Sequence, residues 1–245
     1  MRIIYGINPI IEILSGKNSG DLKKIIIAKG RGGQDIQKIL DLAKYTGVMV
    51  EFKAREEIDA LAGGKSQGIV GFCKPFQYAD LQDVITNKDN RARFGLILIL
   101  DSITDPQNLG SLIRTAYFFG ANGVIIPENR AASVNPTVMK ASSGAANHLP
   151  VAMVTNLARA IDELKEAGYW IYGTDAHAEK SISDTDFNTD TGIVMGSEGS
   201  GLRPLVRKKC DLMVSIPGTG NIDSLNVSVS AGILIYGINE KRKKS

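Results

Sequence analysis

The chain has 245 residues, 43% of them hydrophobic, and its 29 Lys and Arg against 26 Asp and Glu give a formal net charge of +3. That apolar content over that length supports a packed core in one large or two small domains and excludes a largely disordered chain. The longest aliphatic run, residues 96–100, falls far short of the roughly 20 residues that a bilayer span needs, so a soluble, cytoplasmic protein with no membrane partner is expected.

Rare reactive residues narrow the chemistry further. Cys73 and Cys210 are distant in sequence, which argues against a disulfide framework or a CxxC site, and both read as buried thiols. His148 and His177 form no HExxH arrangement, so no metal is expected. Chemistry should therefore rest on Arg, Asn, Glu, Ser and backbone groups.

In chain order, residues 2–5 read as a strand, and Asn8-Pro9 as a cap and opening of a helix that Gly16 ends. Strands follow over 22–28, 48–52 and 68–72, with a helix over 35–45 between the first two. Residues 1–75 hold 12 basic and 8 acidic side chains, a net of +4, so the basic excess lies in this small α/β unit. Pro75 and the polar run 87–93 mark residues 76–93 as a linker.

Residues 94–101 open a second unit with an apolar run ending in Asp101, the pattern of a parallel strand covered on both faces. Helices are expected over 109–119, after Asn135-Pro136, from Asn156 to Ala167, and over 225–241; strands over 123–127, 169–174, 191–196 and 212–216. Alternation of this kind gives a mostly parallel sheet with helices on both faces. The basic tail 241–244 reads as a solvated end.

Ligands of open parallel sheets bind beyond the carboxyl ends of the strands. Three loops there are rich in Gly, Asn and Ser: residues 101–110, leading into a helix with Arg114; residues 196–202; and residues 216–221, followed by Ser224, Leu225 and Asn226. Gly64-Lys65-Ser66 lacks the upstream glycine of a P-loop, and 196–202 reads G-x-x-G-x-G rather than the dinucleotide fingerprint, which disfavours a nicotinamide enzyme.

Together, LDSITDPQNLGSLIRTA (100–116), IVMGSEGSGL (193–202) and SIPGTGNIDSLNVSVSAG (215–232) resemble the three motifs of the SpoU (TrmH-like) branch of the SPOUT RNA methyltransferases. IYGINPIIEIL (4–14) and QGIV (67–70) extend the resemblance over nearly the whole chain, toward the subgroup that methylates a guanosine ribose of 23S rRNA. Ser66 and Gln107 stand where that subgroup leads one to expect His. The resemblance implies an α/β fold: residues 94–245 a SPOUT domain with a deep trefoil knot, residues 1–75 a ribosomal-protein-like RNA-binding domain. It also implies S-adenosylmethionine as cofactor, a homodimer with the active site at the subunit interface, and 23S rRNA or a large-subunit assembly intermediate as RNA partner. A tRNA guanosine 2'-O-methyltransferase and a non-catalytic ribosome-assembly protein are the alternatives.

By the same resemblance, Arg114 is the central site residue. A guanidinium stays protonated, so orienting RNA and stabilising the attacking oxygen suit it better than acting as base; the alternative is an exposed helix arginine. Asn108 is expected to shape the pocket and orient Arg114, or else to be a turn or cap residue. Glu198 is expected to hold Arg114 or a ribose hydroxyl, or to face solvent. Ser224 and Asn226 are expected to combine site building with capping of the last helix. Backbone groups at Gly196, Ile216 and Leu225 are expected to surround the cofactor, ordinary strand-end packing being the alternative for the last two.

Overall fold

The structure, a computed structural model, describes residues 2–16, 21–64, 66–87, 93–220 and 224–243. Lys65, residues 88–92 of the expected linker, Asn221 of the third loop and Lys244 of the basic tail lie outside the described residues. The chain forms two compact units: Met1–Gln77 with Val134–Asn147, and Tyr78–Ser133 with His148–Ser245.

In the first unit, the elements are β1 (Arg2–Tyr5), α1 (Ile7–Ser15), β2 (Leu22–Ala28), α2 (Gln34–Thr46), β3 (Met49–Lys53), α3 (Arg55–Ala62) and β4 (Ile69–Cys73). The strands form one sheet in the order β1-β4-β2-β3, with β1 and β2 antiparallel to β4 and β3 parallel to β2. Ile26, Ala28 and Val70 cluster with Ile58 of α3 on one face. At Gly71 a Cβ would lie 2.8 Å from Leu22 Cδ1, so a larger residue there would displace the Leu22 side chain. The expected cap Asn8 lies inside α1, whose N-cap is Gly6 at φ 100°. The side chain of Gln67, sixty residues away, accepts from the Ile7 N–H instead.

The second unit contains α4 (Leu81–Thr86), β5 (Leu96–Leu100), α5 (Pro106–Phe118), β6 (Gly123–Pro127), β7 (Val151–Val154), α7 (Leu157–Glu166), β8 (Trp170–Thr174), β9 (Lys180–Ser181), β10 (Thr191–Met195), α8 (Pro204–Lys209), β11 (Leu212–Ser215) and α9 (Val227–Lys243); α6 (Pro136–Ala141) belongs to the first unit. The seven strands run in the order β7-β6-β5-β10-β8-β11-β9, every adjacent pair parallel. β5, β6 and β10 are buried along their whole length, as central parallel strands covered by helices must be. Ile97 and Ile99 of β5 join Ile161 and Leu164 of α7 in one core, whereas α5 and α9 pack on each other.

β10 is inserted between β5 and β8, two strands laid down earlier in the chain, and after β11 the chain returns so that α9 meets α5. This strand order and the return of α9 to α5 fit the α/β-knot fold that the resemblance implies. The polar segment expected to be a plain linker carries α4, which packs against β6 and β7. Val134–Asn147, expected to lie within the second domain, is part of the first compact unit. Cys73 is buried; Cys210 is partly buried, and burial pushes its thiol up to about 12, so it is protonated at neutral pH.

Candidate active site

The loop after β5 is set by a helix cap. Asp105, rather than Asn108, is the N-cap of α5: its carboxylate accepts from the N–H groups of Gln107 at 3.1 Å and Asn108 at 3.2 Å, with Pro106 at the first helical position. Such a cap contributes about 1 kcal/mol, and it leaves the Asn108 side chain free for other work. That side chain turns to the other two loops.

Asn226 is the meeting point. Its Nδ2 donates to Glu198 Oε1 at 2.7 Å and to Asn108 Oδ1 at 3.0 Å, while Asn108 Nδ2 lies 3.4 Å from the same Glu198 oxygen. Glu198 Oε1 also accepts from the Val227 N–H at 3.1 Å, which satisfies one free donor at the start of α9. Asn226 caps the same helix, its Oδ1 accepting from the Ser228 N–H at 3.0 Å. One hydrogen-bonded cluster therefore joins the loops after β5, β10 and β11, three segments far apart in sequence.

Glu198 sits at the tip of a closed turn. Ser197 and Gly201 exchange backbone hydrogen bonds of 3.2 and 3.0 Å beneath it. A Cβ on Gly196 would lie 2.3 Å from the Gly201 carbonyl carbon, so no other residue fits at the end of β10. Beyond β11, Cβ atoms at Gly218 and Gly220 would meet nothing within 4 Å. Ile216 is partly exposed, and Leu225 is 48% exposed although apolar. Open backbone flanked by exposed aliphatic surface fits a cofactor with an adenine ring and an aliphatic methionine chain.

Arg114 and Ser224 stand apart from the cluster. Ser224 is exposed and makes no hydrogen bond among the described residues. Arg114 is likewise exposed and without a hydrogen bond or ion pair among them, so neither Asn108 nor Glu198 holds it in this chain. Six residues along a helix turn a side chain about 120° from its starting direction. Arg114 thus shares its face of α5 with Tyr117 and Phe118, which are 48% and 79% exposed.

Sequence comparison decides what these loops belong to. The sequence model of the SpoU rRNA Methylase family matches residues 95–236, and that of the RNA 2'-O ribose methyltransferase substrate-binding domain matches residues 3–79. A Bacillus subtilis protein with the provisional name TrmH family tRNA/rRNA methyltransferase YacO is 41% identical over 239 residues, 98% of this chain and 95% of that protein.

The chain belongs to the SpoU (TrmH) family of RNA methyltransferases.

Among solved structures, the SpoU methyltransferase AviRb from Streptomyces viridochromogenes, in complex with the cofactor AdoMet, superposes with a TM-score of 0.81 at 25% identity, covering 99% of this chain and 91% of AviRb. An AdoMet-bound rRNA methyltransferase from Sinorhizobium meliloti shares the fold, with a TM-score of 0.78 at 22% identity over 98% of this chain and 87% of its own. S-adenosylmethionine is accordingly the cofactor of this SpoU-family chain. Among the described residues, no group of His, Cys, Asp and Glu could hold a metal ion and no helix is long and apolar enough to cross a membrane.

Proposed function

We propose that the chain transfers a methyl group from S-adenosylmethionine to the ribose 2'-hydroxyl of a guanosine in 23S rRNA, in the cytoplasm and as a homodimer. The observation that carries the reading is the Asn108–Glu198–Asn226 cluster, which unites all three motif loops. When bound, the cofactor would supply a sulfonium methyl for the ribose oxygen and leave as the neutral thioether, with the hydroxyl proton passing to solvent. The protein holds the oxygen in line and stabilises charge developing on it. Arg114, always protonated, is the group suited to that second task and to orienting the RNA. Asn108, Glu198 and Asn226 build the pocket, the exposed Ser224 lies at its edge open to RNA, and backbone groups at Gly196, Ile216 and Leu225 hold the cofactor.

Support for the homodimer comes from apolar surface. Val229, Ile233 and Tyr236 are 50%, 39% and 55% exposed along one face of α9, and α5, which packs on α9, adds Tyr117 and Phe118. Arg114 emerges on that same side of α5, beside the exposed Tyr117 and Phe118. Exposed apolar area of this kind marks an interaction surface.

Residues 1–75 act as the RNA-binding domain, 76–93 as a connector containing α4, and 94–245 as the methyltransferase domain. Lys29 and Lys53 adjoin at one end of the small sheet, the Lys29 N–H bonding the Lys53 carbonyl at 2.9 Å, and Arg31 follows Lys29 in the same loop. Lys29 and Arg31 have no ion-pair partner among the described residues. The exposed Lys29 beside the Lys53–Glu57 pair, with the half-buried Arg31, gives this end a positive charge suited to capture of phosphates. A large-subunit RNA is favoured over tRNA by the match of residues 95–236 to the SpoU rRNA Methylase family, together with the substrate-binding domain that precedes them.

Incubation with labelled S-adenosylmethionine and unmodified 23S rRNA or tRNA tests the reading. Label is expected in the rRNA, and Arg114→Ala should lower transfer by about 100-fold or more. Transfer to tRNA alone would move the substrate; calorimetry without cofactor binding would favour a non-catalytic RNA-binding protein.

A further inference from the structure

The reaction proposed above does not use Asp101, yet among the described residues Asp101 is the most tightly enclosed charge near the three loops. It follows β5 directly, its side chain is 0% exposed, and its carboxylate accepts from three donors: the Arg203 N–H at 2.8 Å, Arg203 Nε at 2.6 Å and the Ser102 hydroxyl at 3.2 Å. Its own N–H bonds the Met195 carbonyl at 2.8 Å. Met195 and Arg203 are the residues immediately before and after the Gly196–Leu202 loop. Both feet of that loop are therefore tied to one residue.

The same residue begins the loop that leads to Asn108. Ser102, next in the chain, takes the left-handed φ of 64° that only a fixed turn tolerates in a non-glycine residue, and its hydroxyl closes back on Asp101. The turn carrying Glu198 is itself stiffened by the Ser197–Gly201 pairing and by a 2.6 Å hydrogen bond between the Ser197 and Ser200 hydroxyls. A stiff turn with two fixed feet has one position. In that position Glu198 reaches Asn226 and Val227, and Gly196 stands at the end of β10.

We propose that Asp101 and Arg203 form a positioning pair that fixes the Gly196–Leu202 loop in its cofactor-binding position before the cofactor arrives. Pre-ordering removes the cost of arranging the loop at the moment of binding. The pair touches neither substrate nor cofactor and acts only through the loop. The inference rests on the S-adenosylmethionine methyltransferase reading for its consequence, while the loop ordering itself is a property of the cofactor-free protein.

Arg203→Ala and Arg203→Lys test it, since the Arg203 side chain is 36% exposed and its backbone bond to Asp101 survives both changes. Amide hydrogen exchange in the cofactor-free protein is followed at residues 197–201 and in the central strands, with the Kd for S-adenosylmethionine by calorimetry and KM for RNA by transfer assay. Loss of a charge-assisted hydrogen bond should speed exchange at 197–201 by about tenfold and raise the cofactor Kd by about tenfold in Arg203→Ala. Exchange in β5 and KM for RNA should stay at wild-type values, and Arg203→Lys should recover part of the loss. Wild-type exchange at 197–201 in Arg203→Ala, or an equal rise in loop and strands, overturns the proposal. If the unaltered protein binds no S-adenosylmethionine, the functional reading fails instead, and the exchange comparison still decides the role of the pair.

Discussion

Arg242, near the end of α9, offers a quantitative test of what locks the last helix onto the sheet. Its Nε donates to the Phe187 carbonyl at 3.0 Å, one terminal nitrogen to the Phe94 carbonyl at 3.3 Å, and the other lies 3.1, 2.7 and 2.8 Å from Gly95 O, Thr189 O and Thr191 Oγ1. A terminal nitrogen has two protons, so those last three acceptors share two bonds. The contact at 3.3 Å is long, which leaves about three effective charge-assisted bonds at about 1.5–3 kcal/mol each. Against this stands the cost of burying the cation: burial draws the Arg242 pKa down, opposed by the Asp190 charge. Gly95 O and Thr189 O also retain other donors, the Thr191 N–H and hydroxyl, once the arginine is gone. A net loss of about 3 kcal/mol is therefore expected for Arg242→Ala. At about 2–4 °C per kcal/mol for a chain of this size, Tm should fall by about 6–12 °C in calorimetric melting. Arg242→Lys should recover less than half, because one ammonium cannot span the same acceptors. These acceptors lie at the amino ends of β5 and β10, opposite the three loops, so cofactor Kd at 20 °C should not change. A Tm shift below about 2 °C in Arg242→Ala would refute the reasoning.

Three further outcomes are expected. Gly196→Ala forces a Cβ to 2.3 Å from the Gly201 carbonyl carbon; it should raise the S-adenosylmethionine Kd by about tenfold or more, and an unchanged Kd by calorimetry would contradict the close-approach argument. Glu198→Ala removes the acceptor of Asn226 and the Val227 N–H and should lower kcat/KM by about tenfold, whereas Glu198→Gln, which keeps an acceptor oxygen, should lose about threefold or less; equal losses in transfer assays would show that charge rather than the hydrogen bonds matters. The His177 N–H and then the Arg207 guanidinium hold the Asp175 carboxyl below its ordinary range. A depressed folded-state pKa gives stability that is present above the unfolded pKa and lost as pH falls through the folded one; Asp175→Asn should flatten the acid side of a Tm-against-pH curve, and an unaltered slope would oppose this.

Local signals made much of the fold legible. β1, β2 and β6 coincide with the expected strands, and Asn156 and Asn135 cap α7 and α6 as their place before an apolar or Pro-led turn predicts. Elements with little local signal were not visible. α3 buries only Ile58, β9 has two residues, and β7 has four, of which two are buried. The cap of α1 is a long-range contact from Gln67, which no pattern around Asn8 reveals. Asp105 took the capping role that Asn108 shared in expectation, because two donors and Pro106 favour it.

At the candidate site, the motif loops were readable from their glycines and order, but not their mutual contacts. Glu198 bonding Asn226 and Val227 rather than Arg114 follows from strand order, which places β10 beside β5 and returns the chain after β11 toward α5. Arg114 could be named from its motif, yet its separation from Asn108 depends on helix phase. Asp101 showed in sequence only as the polar end of an apolar strand; its partner Arg203, 102 residues later, is visible only in the fold.

The most direct test of the central claim is a map of ribose 2'-O-methyl groups in ribosomal and transfer RNA from cells with and without this protein. Loss of methylation at a single guanosine of 23S rRNA, restored by the unaltered chain and not by Arg114→Ala, is the predicted result. An unchanged rRNA map, or restoration by the arginine variant, would contradict the account.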